Sequence, residues 1–300
     1  MALTLMSFRP RRPQTQAPGK PGHALQFAWS TIEEVQQNPP YAPKEYVVVD
    51  AETVRGTYRT RHGLSDRLDV EVEIPFLWAG AGGLDGFVED FHDFFGLPKG
   101  GRDENEDDHY EVNVSDGGEE IYGLDSYEVG LQDIPVFLTY LVTEESPSAP
   151  AFATRIGVEF PTGSESGGFG NGAFDFGAGL LAEKSMGRWT TSGAFNFTVP
   201  GQSDRMERIS GQKYDPQFGI EVGLEYRWDD HFSLIAGTVW TSRMLSSLTL
   251  EEINREVFDL GLGAIFDISD RSRFGFSVHE DLVSATGSDL TLQMGWVWGY

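Results

Sequence analysis

Acidic side chains recur at alternate positions in otherwise apolar segments of this 300-residue chain. In residues 68–78, for example, Asp69, Glu71 and Glu73 alternate with mainly apolar side chains. Alternate residues of a β-strand point to opposite faces, so these carboxylates would share one face. Carboxylates concentrated on one face attract cations and repel anions. The full set of candidates is Asp69, Glu71, Glu73, Asp175, Glu183, Glu221, Glu225, Arg227, Asp259 and Asp267.

A histidine beside carboxylates is the second candidate for chemistry. His92 lies three residues after Glu89 and next to Asp93, and Arg102 follows further along the chain. Such a group can bind a metal ion or exchange a proton near neutral pH. A surface histidine, or one satisfied by ordinary hydrogen bonds, can have the same neighbours. The sequence therefore nominates these four residues without assigning them a metal.

The acidic run Asp103–Asp108 supplies oxygen ligands but lacks the spaced, glycine-containing loop of a calcium hand. Solvated charge is the default interpretation, and loosely bound divalent cations are the alternative. Enzyme signatures are missing, among them the Gly-x-Ser-x-Gly elbow and paired zinc histidines. We therefore predict no enzyme activity, no cofactor and no dedicated metal site. The net charge of −25 argues against a nucleic-acid partner.

The C-terminal residues show most clearly what kind of element carries these side chains. Strict alternation of apolar residues at every second position indicates a β-strand with one apolar face. An apolar edge strand ending on aromatics invites aggregation in a soluble protein, whereas a closed membrane barrel has no edge. The run resembles the C-terminal assembly signal of Gram-negative outer-membrane barrels. Its alternating residues are Leu290, Leu292, Met294, Trp296, Trp298 and Tyr300.

Twelve segments of the chain alternate in this way, an even number typical of bacterial single-chain barrels. We also predict a β-bulge near Glu52, because the phase of the second segment changes there. No run approaches 18 consecutive apolar residues, so the chain is not a helical membrane protein. The segments are 23–29, 46–60, 68–78, 127–142, 152–160, 174–184, 189–199, 218–228, 232–240, 257–268, 274–282 and 290–300.

The connections and the tryptophans support a membrane barrel over a soluble sandwich. Short turns alternate with long links, as periplasmic turns alternate with outer loops in such barrels. All seven tryptophans fall near strand ends, where indole rings prefer the membrane interface. The outer group is Trp29, Trp78 and Trp240, and the periplasmic group is Trp189, Trp228, Trp296 and Trp298. Both termini would then be periplasmic, with the first and last strands paired.

The longest outer loop, residues 79–126, contains the one predicted helix. Apolar residues of segment 84–97 follow a helical stripe, Gly96 is placed to end the helix, and Pro98 prevents its continuation. Such a helix can fold into the lumen as a constriction, cover the mouth, dock at the outer membrane interface, or plug the barrel. We place it first in the lumen or mouth, because its apolar stripe needs a dry surface.

The N-terminal residues 1–21 are predicted to be a disordered or truncated leader, since they are rich in proline, glutamine and arginine. Residues 22–300 are predicted to form a single barrel domain.

The stretch Phe91–Pro98, followed by Gly101 and Arg102, resembles a family of Gram-negative outer-membrane barrels known only as a domain of unknown function. Residues 63–69 and 74–76 are similar to that family as well, and the likeness spans residues 45–300. Two shorter pieces, 133–134 and 160–163, resemble the broader set of small-solute barrel transporters. The resemblance implies the fold and an outer-membrane location, and it implies no activity or catalytic residues.

The fold class predicted is therefore all-β, a 12-stranded antiparallel transmembrane β-barrel with a short helix in its longest outer loop. We expect a narrow porin-like channel for passive diffusion of small cationic or neutral solutes, constricted by loop 79–126. Its alternatives are a non-conducting structural or adhesive barrel, or a barrel enzyme acting on lipid or peptide. The expected partners are the small solute, outer-membrane lipid with lipopolysaccharide, and, through the last strand, the barrel assembly machinery.

Overall fold

The computed structural model describes Met6 and residues 12–37, 46–96, 109–116, 119–124, 128–202, 213–244, 255–282 and 288–299. No helix in these residues is long and apolar enough to cross a membrane. The elements are β1 (Pro21–Gln37), β2 (Tyr46–Ser65), β3 (Leu68–Gly80), α1 (Asp85–Phe95), β4 (Glu111–Asp116), β5 (Glu119–Leu124), β6 (Glu128–Leu131), β7 (Ile134–Thr143), β8 (Ala151–Phe160), β9 (Asp175–Met186), β10 (Trp189–Val199), β11 (Gln217–Arg227), β12 (Phe232–Thr241), β13 (Val257–Ser269), β14 (Ser272–Asp281) and β15 (Leu290–Trp298).

Twelve of these strands, β1–β3 and β7–β15, form a closed antiparallel barrel. Strands that follow one another in the chain are paired, and β1 closes the ring on β15 from His23 opposite Trp298 to Thr31 opposite Leu290. Closure removes the exposed strand edge that the aromatic C-terminal run would otherwise present. The predictions of a 12-stranded barrel with one short helix, and of pairing between its first and last strands, are confirmed.

The wall of the barrel is apolar outside and polar inside, as strand β3 shows. Its residues Asp69, Glu71 and Glu73 are almost fully buried, whereas Phe76 on the alternate face is half exposed. Directly opposed residues of an antiparallel pair share a face, so the register extends this assignment around the ring. An apolar exterior is what a lipid environment requires of a strand.

The two ends of the barrel differ in their connections. At the short-turn end, the links are residues 66–67, 144–150, 187–188, 228–231 and 270–271. At the opposite, long-loop end, the widest link runs from β3 to β7 and holds α1 and β4–β6. Trp29 and Trp78 flank Val54 in one row near the long-loop end, and Trp296 lies near the other. The predicted alternation of short turns and long loops is therefore present.

Two strand predictions need correction. The fourth segment is split into β6 and β7 by Gln132 and Asp133, and both parts still pair with β3. The bulge predicted near Glu52 is wrong, because β2 pairs with β1 in continuous register from Tyr46 to His62. The change of apolar phase has another cause: residues 46–50 extend beyond β3 and pair with β4 above the barrel wall.

Helix α1 packs on the outside of the barrel wall. Leu84 and Val88 form a buried cluster with Leu290 of β15, and Val278 and Leu292 pack against it. Leu290 and Leu292 share a face with the exposed Met294 and Trp296, which identifies this face as the exterior. Our prediction that the helix lies in the lumen or mouth is therefore wrong. Its apolar stripe packs against the outer wall instead.

The helix crosses the strands along a single row of the sheet. Glu52, Thr31, Leu290 and Glu280 are consecutive partners in that row, on β2, β1, β15 and β14. At one end, Glu52 accepts hydrogen bonds from the backbone N–H groups of Gly83 (2.7 Å) and Leu84, which satisfies donors before the first turn. The helix therefore spans the seam where β1 meets β15.

Its last turn is held by a second polar contact. His92 Nε2 lies 3.2 Å from Glu280 Oε1 on β14. Gly96 then ends the helix in the left-handed conformation, at φ 70°. This confirms the predicted role of Gly96, since a residue without a side chain adopts that conformation most easily.

Candidate functional site in the barrel lumen

All ten predicted lining residues lie on the inward-facing register of the barrel. Asp69, Asp175 and Glu183 are almost fully buried, and the register carries the assignment to Glu221 and Glu225 on β11. Arg227 lies on the same face, opposite the buried Ser233 at the short-turn end. Asp259 and Asp267 lie on the inner face of β13, opposite Asp281 and Arg273.

One side of the lumen is filled by ion pairs that the sequence did not reveal. Arg155 is 1% exposed, donates from Nη2 to Glu71 Oε1 at 2.6 Å, and stacks over the Phe137 ring at 3.6 Å. On β2, Arg61 lies 2.6 Å from Asp69 and Arg59 lies 3.9 Å from Glu73. A buried carboxylate needs such a partner, because low dielectric surroundings penalise isolated charge.

A cluster of side chains organises the loops at the long-loop end of the lumen. Asp175 accepts hydrogen bonds from Asn171 Nδ2 (2.7 Å), the Gly201 N–H (2.8 Å) and the Met6 N–H (2.9 Å). The buried Glu159 lies opposite it on β8. Residues 161–174 and 200–202 are thereby tied to the inner wall.

Asp133 anchors the first of these loops from outside the membrane-spanning strands. Its carboxylate accepts hydrogen bonds from the N–H groups of Gly163 (2.7 Å) and Asn171 (3.2 Å). Burial raises the pKa of Asp133 from 3.8 to about 6, and the nearby Asp175 adds to the rise, while the accepted hydrogen bonds oppose it. The folded loop therefore holds this proton more tightly than an unfolded chain would.

We expect the stability of loop 161–172 to depend on this proton. Because the folded pKa is raised, the contribution of Asp133 is complete below pH 3.8 and is lost as pH rises through about 6. Amide hydrogen exchange at Gly163, corrected for its intrinsic pH dependence, should therefore show greater protection at acidic than at neutral pH. Asp133→Asn should remove this dependence. Equal pH profiles in the two proteins would contradict the assignment.

Residues 12–18, called here the N-terminal segment, lie inside the lumen at the short-turn end. Arg12 Nε lies 3.2 Å from Glu183 Oε2, and its Nη2 donates to Glu225 Oε2 at 2.8 Å. Gln14 Nε2 donates to Glu183 Oε1 at 2.8 Å, and the Gln16 N–H donates to Asp69 Oδ2 at 3.0 Å. The segment thus occupies carboxylates of both β3 and the β9–β11 wall.

Further contacts fix the same segment. Arg61 Nη2 donates to the Gln14 carbonyl at 2.7 Å, and Pro18 forms a parallel bridge with Gly63. A side chain at Gly63 would collide with the backbone of Ala17, so glycine is required for this close approach. Met6 is buried against Phe137. The leader prediction for residues 1–21 stays a prediction, but the described part of those residues lies against the inner wall.

The opposite side of the lumen carries mainly small side chains. Gly237, Gly261 and Gly263 face inward on β12 and β13, opposite the inner face of β14. On β14, the Ser277 hydroxyl and His279 Nε2 are hydrogen-bonded at 2.8 Å. The lumen is therefore asymmetric, with paired long charged side chains on β2, β3 and β8 and a thinner lining at the glycines of β12 and β13.

Loop 79–126 was predicted to constrict the lumen, and this prediction is wrong for the helix α1. Glu89, His92 and Asp93 belong to α1 and are carried on the outer wall, because the apolar face of the helix covers β15. Arg102 and the run Asp103–Asp108 lie outside the described residues. Among the described residues, no group of three or more histidine or acidic side chains is arranged to hold a metal ion.

A closed 12-stranded antiparallel wall with an apolar exterior and a polar interior defines an outer-membrane type of β-barrel. Residues 10–300 match the family described as a protein of unknown function, DUF3187, and the chain belongs to that family. No functionally curated protein matches the sequence.

Solved structures with this fold include an outer membrane channel and a porin. The COG4313 outer membrane channel from Pseudomonas putida F1 is 14% identical, with a TM-score of 0.62, over 98% of this chain and 100% of that one. The NanC porin is 5% identical, with a TM-score of 0.51, over 93% of this chain and 100% of that one. At these identities the likeness supports the architecture.

Proposed function

We propose that the protein is a channel in the outer membrane of a Gram-negative bacterium, for passive diffusion of small cationic or neutral solutes. The observation that carries this proposal is the set of carboxylates on the inner wall, from Asp69 on β3 to Asp267 on β13. A low-dielectric wall lined by one sign of charge concentrates the opposite ion inside it. The neighbouring channel and porin folds support the same function.

The arginines inside the barrel only partly offset this charge. Arg155, Arg59 and Arg61 pair with carboxylates on the crowded side of the lumen. Asp259 and Asp281 instead face each other across β13 and β14, on the side with small side chains. Asp259 and Asp281 lie toward the long-loop end, whereas Arg227 and Arg273 on the same side lie toward the short-turn end. A solute that enters from the long-loop end therefore meets carboxylates before arginines, which favours cations.

Ion selectivity in planar bilayers is the direct test. We expect a reversal potential in a potassium chloride gradient that indicates cation preference, and a reduced preference in the variant Asp259→Asn/Asp281→Asn. Asp270→Asn, in a turn at the barrel end, is the control and should leave selectivity unchanged. A protein that stays closed under all conditions, or one that prefers anions, would contradict the proposal.

A non-conducting structural barrel is the second candidate, and one observation favours it. The N-terminal segment and the Arg155 pair both occupy lumen space that a channel would use. The same bilayer recordings separate the two functions. Carboxylates such as Glu71 and Glu183 would also serve a filled barrel, as partners of Arg155 and of the N-terminal segment. We rank the channel first because the similar solved folds are a channel and a porin.

A further inference from the structure

We propose that Glu183 and Glu225 form a binding site for small solutes that carry a guanidinium group, and that Arg12 occupies this site in place of such a solute. The inference rests on the proposed channel function and names the solute class. It assigns the site to the short-turn end of the lumen, within three residues of the ends of β9 and β11.

The first argument is the way one guanidinium bridges two strands. Arg12 approaches Glu183 through Nε at 3.2 Å and Glu225 through Nη2 at 2.8 Å. Guanidinium groups present several donors in a fixed plane, so they bind two carboxylates at once with defined geometry. The two carboxylates therefore already stand at the separation that such a group requires.

The second argument is that the wall holds the carboxylates and not the cation. The Glu183 side chain is 4% exposed and that of Glu225 is 12% exposed, whereas that of Arg12 is 48% exposed. Gln14, from the same segment as Arg12, also donates to Glu183 at 2.8 Å. Two anionic side chains on rigid strands would lose their compensating charge if the segment left, which would leave a site suited to another cation.

The third argument is the room around the carboxylates. Strand β10 lies between β9 and β11, and its inward residues there are Thr190 and Ser192. Ser192 is opposite Glu183, and Thr190 is opposite Glu225. Small hydroxyl side chains leave space for a solute and provide hydrogen-bonding groups beside the charges. The inner face of β10 between the two carboxylates therefore carries only small hydroxyl side chains.

A comparison with Arg273 shows why Arg12, and not Arg273, is the residue that a solute could replace. Arg273 also binds an inner carboxylate near the short-turn end, with Nε 2.6 Å from Asp267 Oδ1. It belongs to β14, the strand paired with β13, so the wall itself supplies its charge. Arg12 precedes the first strand and can be withdrawn without opening a strand pair. A cationic solute and Arg12 would then compete for the same carboxylates.

The test measures binding and conductance separately. L-arginine is titrated calorimetrically into the detergent-solubilised full chain. Citrulline is the control probe, because it keeps the α-ammonium and carboxylate groups of arginine but has a neutral ureido group in place of the guanidinium. Arg12→Ala should bind L-arginine at least about tenfold more tightly than the unmodified protein, and should not bind citrulline. Adding Glu183→Gln should weaken that binding about tenfold. Arg271→Ala, which removes the same charge from an exposed turn at the short-turn end, should leave L-arginine affinity unchanged.

The outcomes distinguish this inference from the channel itself. In bilayers, L-arginine should block the current of Arg12→Ala, and citrulline should not. If Arg12→Ala conducts but neither binds nor is blocked by L-arginine, the inference is overturned and the channel stands. If it binds L-arginine in a Glu183-dependent way but never conducts, the site stands and the channel function fails. Equal binding of L-arginine and citrulline also overturns the inference.

Discussion

Replacement of Arg155 by alanine is expected to lower the free energy of unfolding by about 3–5 kcal/mol, the loss typical when one partner of a buried ion pair is removed. The Arg155 side chain is 1% exposed, donates to Glu71 at 2.6 Å and covers the Phe137 ring. Its removal leaves a buried carboxylate without that donor and opens space beside an aromatic ring. Both effects act in the same direction.

Urea unfolding of the protein in detergent micelles or lipid vesicles measures this loss. Arg227→Ala is the matched control, because Arg227 faces inward on β11 but is exposed. The double variant Glu71→Gln/Arg155→Met should be more stable than Arg155→Ala, since it removes both charges and keeps most of the volume. Equal losses for Arg155→Ala and Arg227→Ala would show that the buried pair does not stabilise the barrel.

Replacement of Val88 by aspartate should release helix α1 from the outer wall. Val88 is fully buried between the helix and Leu290, so a carboxylate there would face an apolar surface. Loss of this contact should cost about 3 kcal/mol of docking free energy. The barrel strands keep their own hydrogen bonds, so the effect should appear in the loop before it appears in the wall.

Limited proteolysis of loop 79–126 reports this release. Because 1.4 kcal/mol is a factor of ten, cleavage should accelerate about 100-fold in Val88→Asp if opening is fast relative to cleavage. Phe94→Asp introduces the same charge at a side chain that is 83% exposed and should change cleavage little. A protected loop in Val88→Asp would mean that other contacts, such as Glu52 with the start of the helix, hold it in place.

The strands of the barrel wall were predictable because the alternation of polar and apolar residues can be recognised within each strand alone. Alternation of Asp69, Glu71 and Glu73 with apolar residues identifies both faces of β3 without knowledge of its neighbours. The same alternation placed all ten candidates on the inward face, and their role in lining an open pore stays a prediction. The interruption at Gln132 and Asp133 was missed, because both flanking strands continue the pairing with β3.

The positions of α1 and the N-terminal segment were not predictable in the same way. An amphipathic stripe requires a dry surface, but both the lumen and the outer wall of a barrel offer candidate surfaces. Helix α1 packs against Val278 and Leu290, which are far from it in the chain. The alternation of apolar residues around them shows only that they face outward. Arg12 likewise carried no local signal, because a basic proline-rich stretch is equally typical of a leader.

The position of α1 has a consequence for the order of assembly. The helix precedes nine of the twelve barrel strands in the chain. The surface that it packs against is nevertheless formed by β14 and β15, the last two strands. That surface exists only after the final hairpin has formed beside β1. Docking of the helix must therefore follow closure of the barrel. The time at which the α1 amides become protected from hydrogen exchange would report when the barrel has closed. Until that moment, the apolar face around Val88 stays open to lipid or to a chaperone.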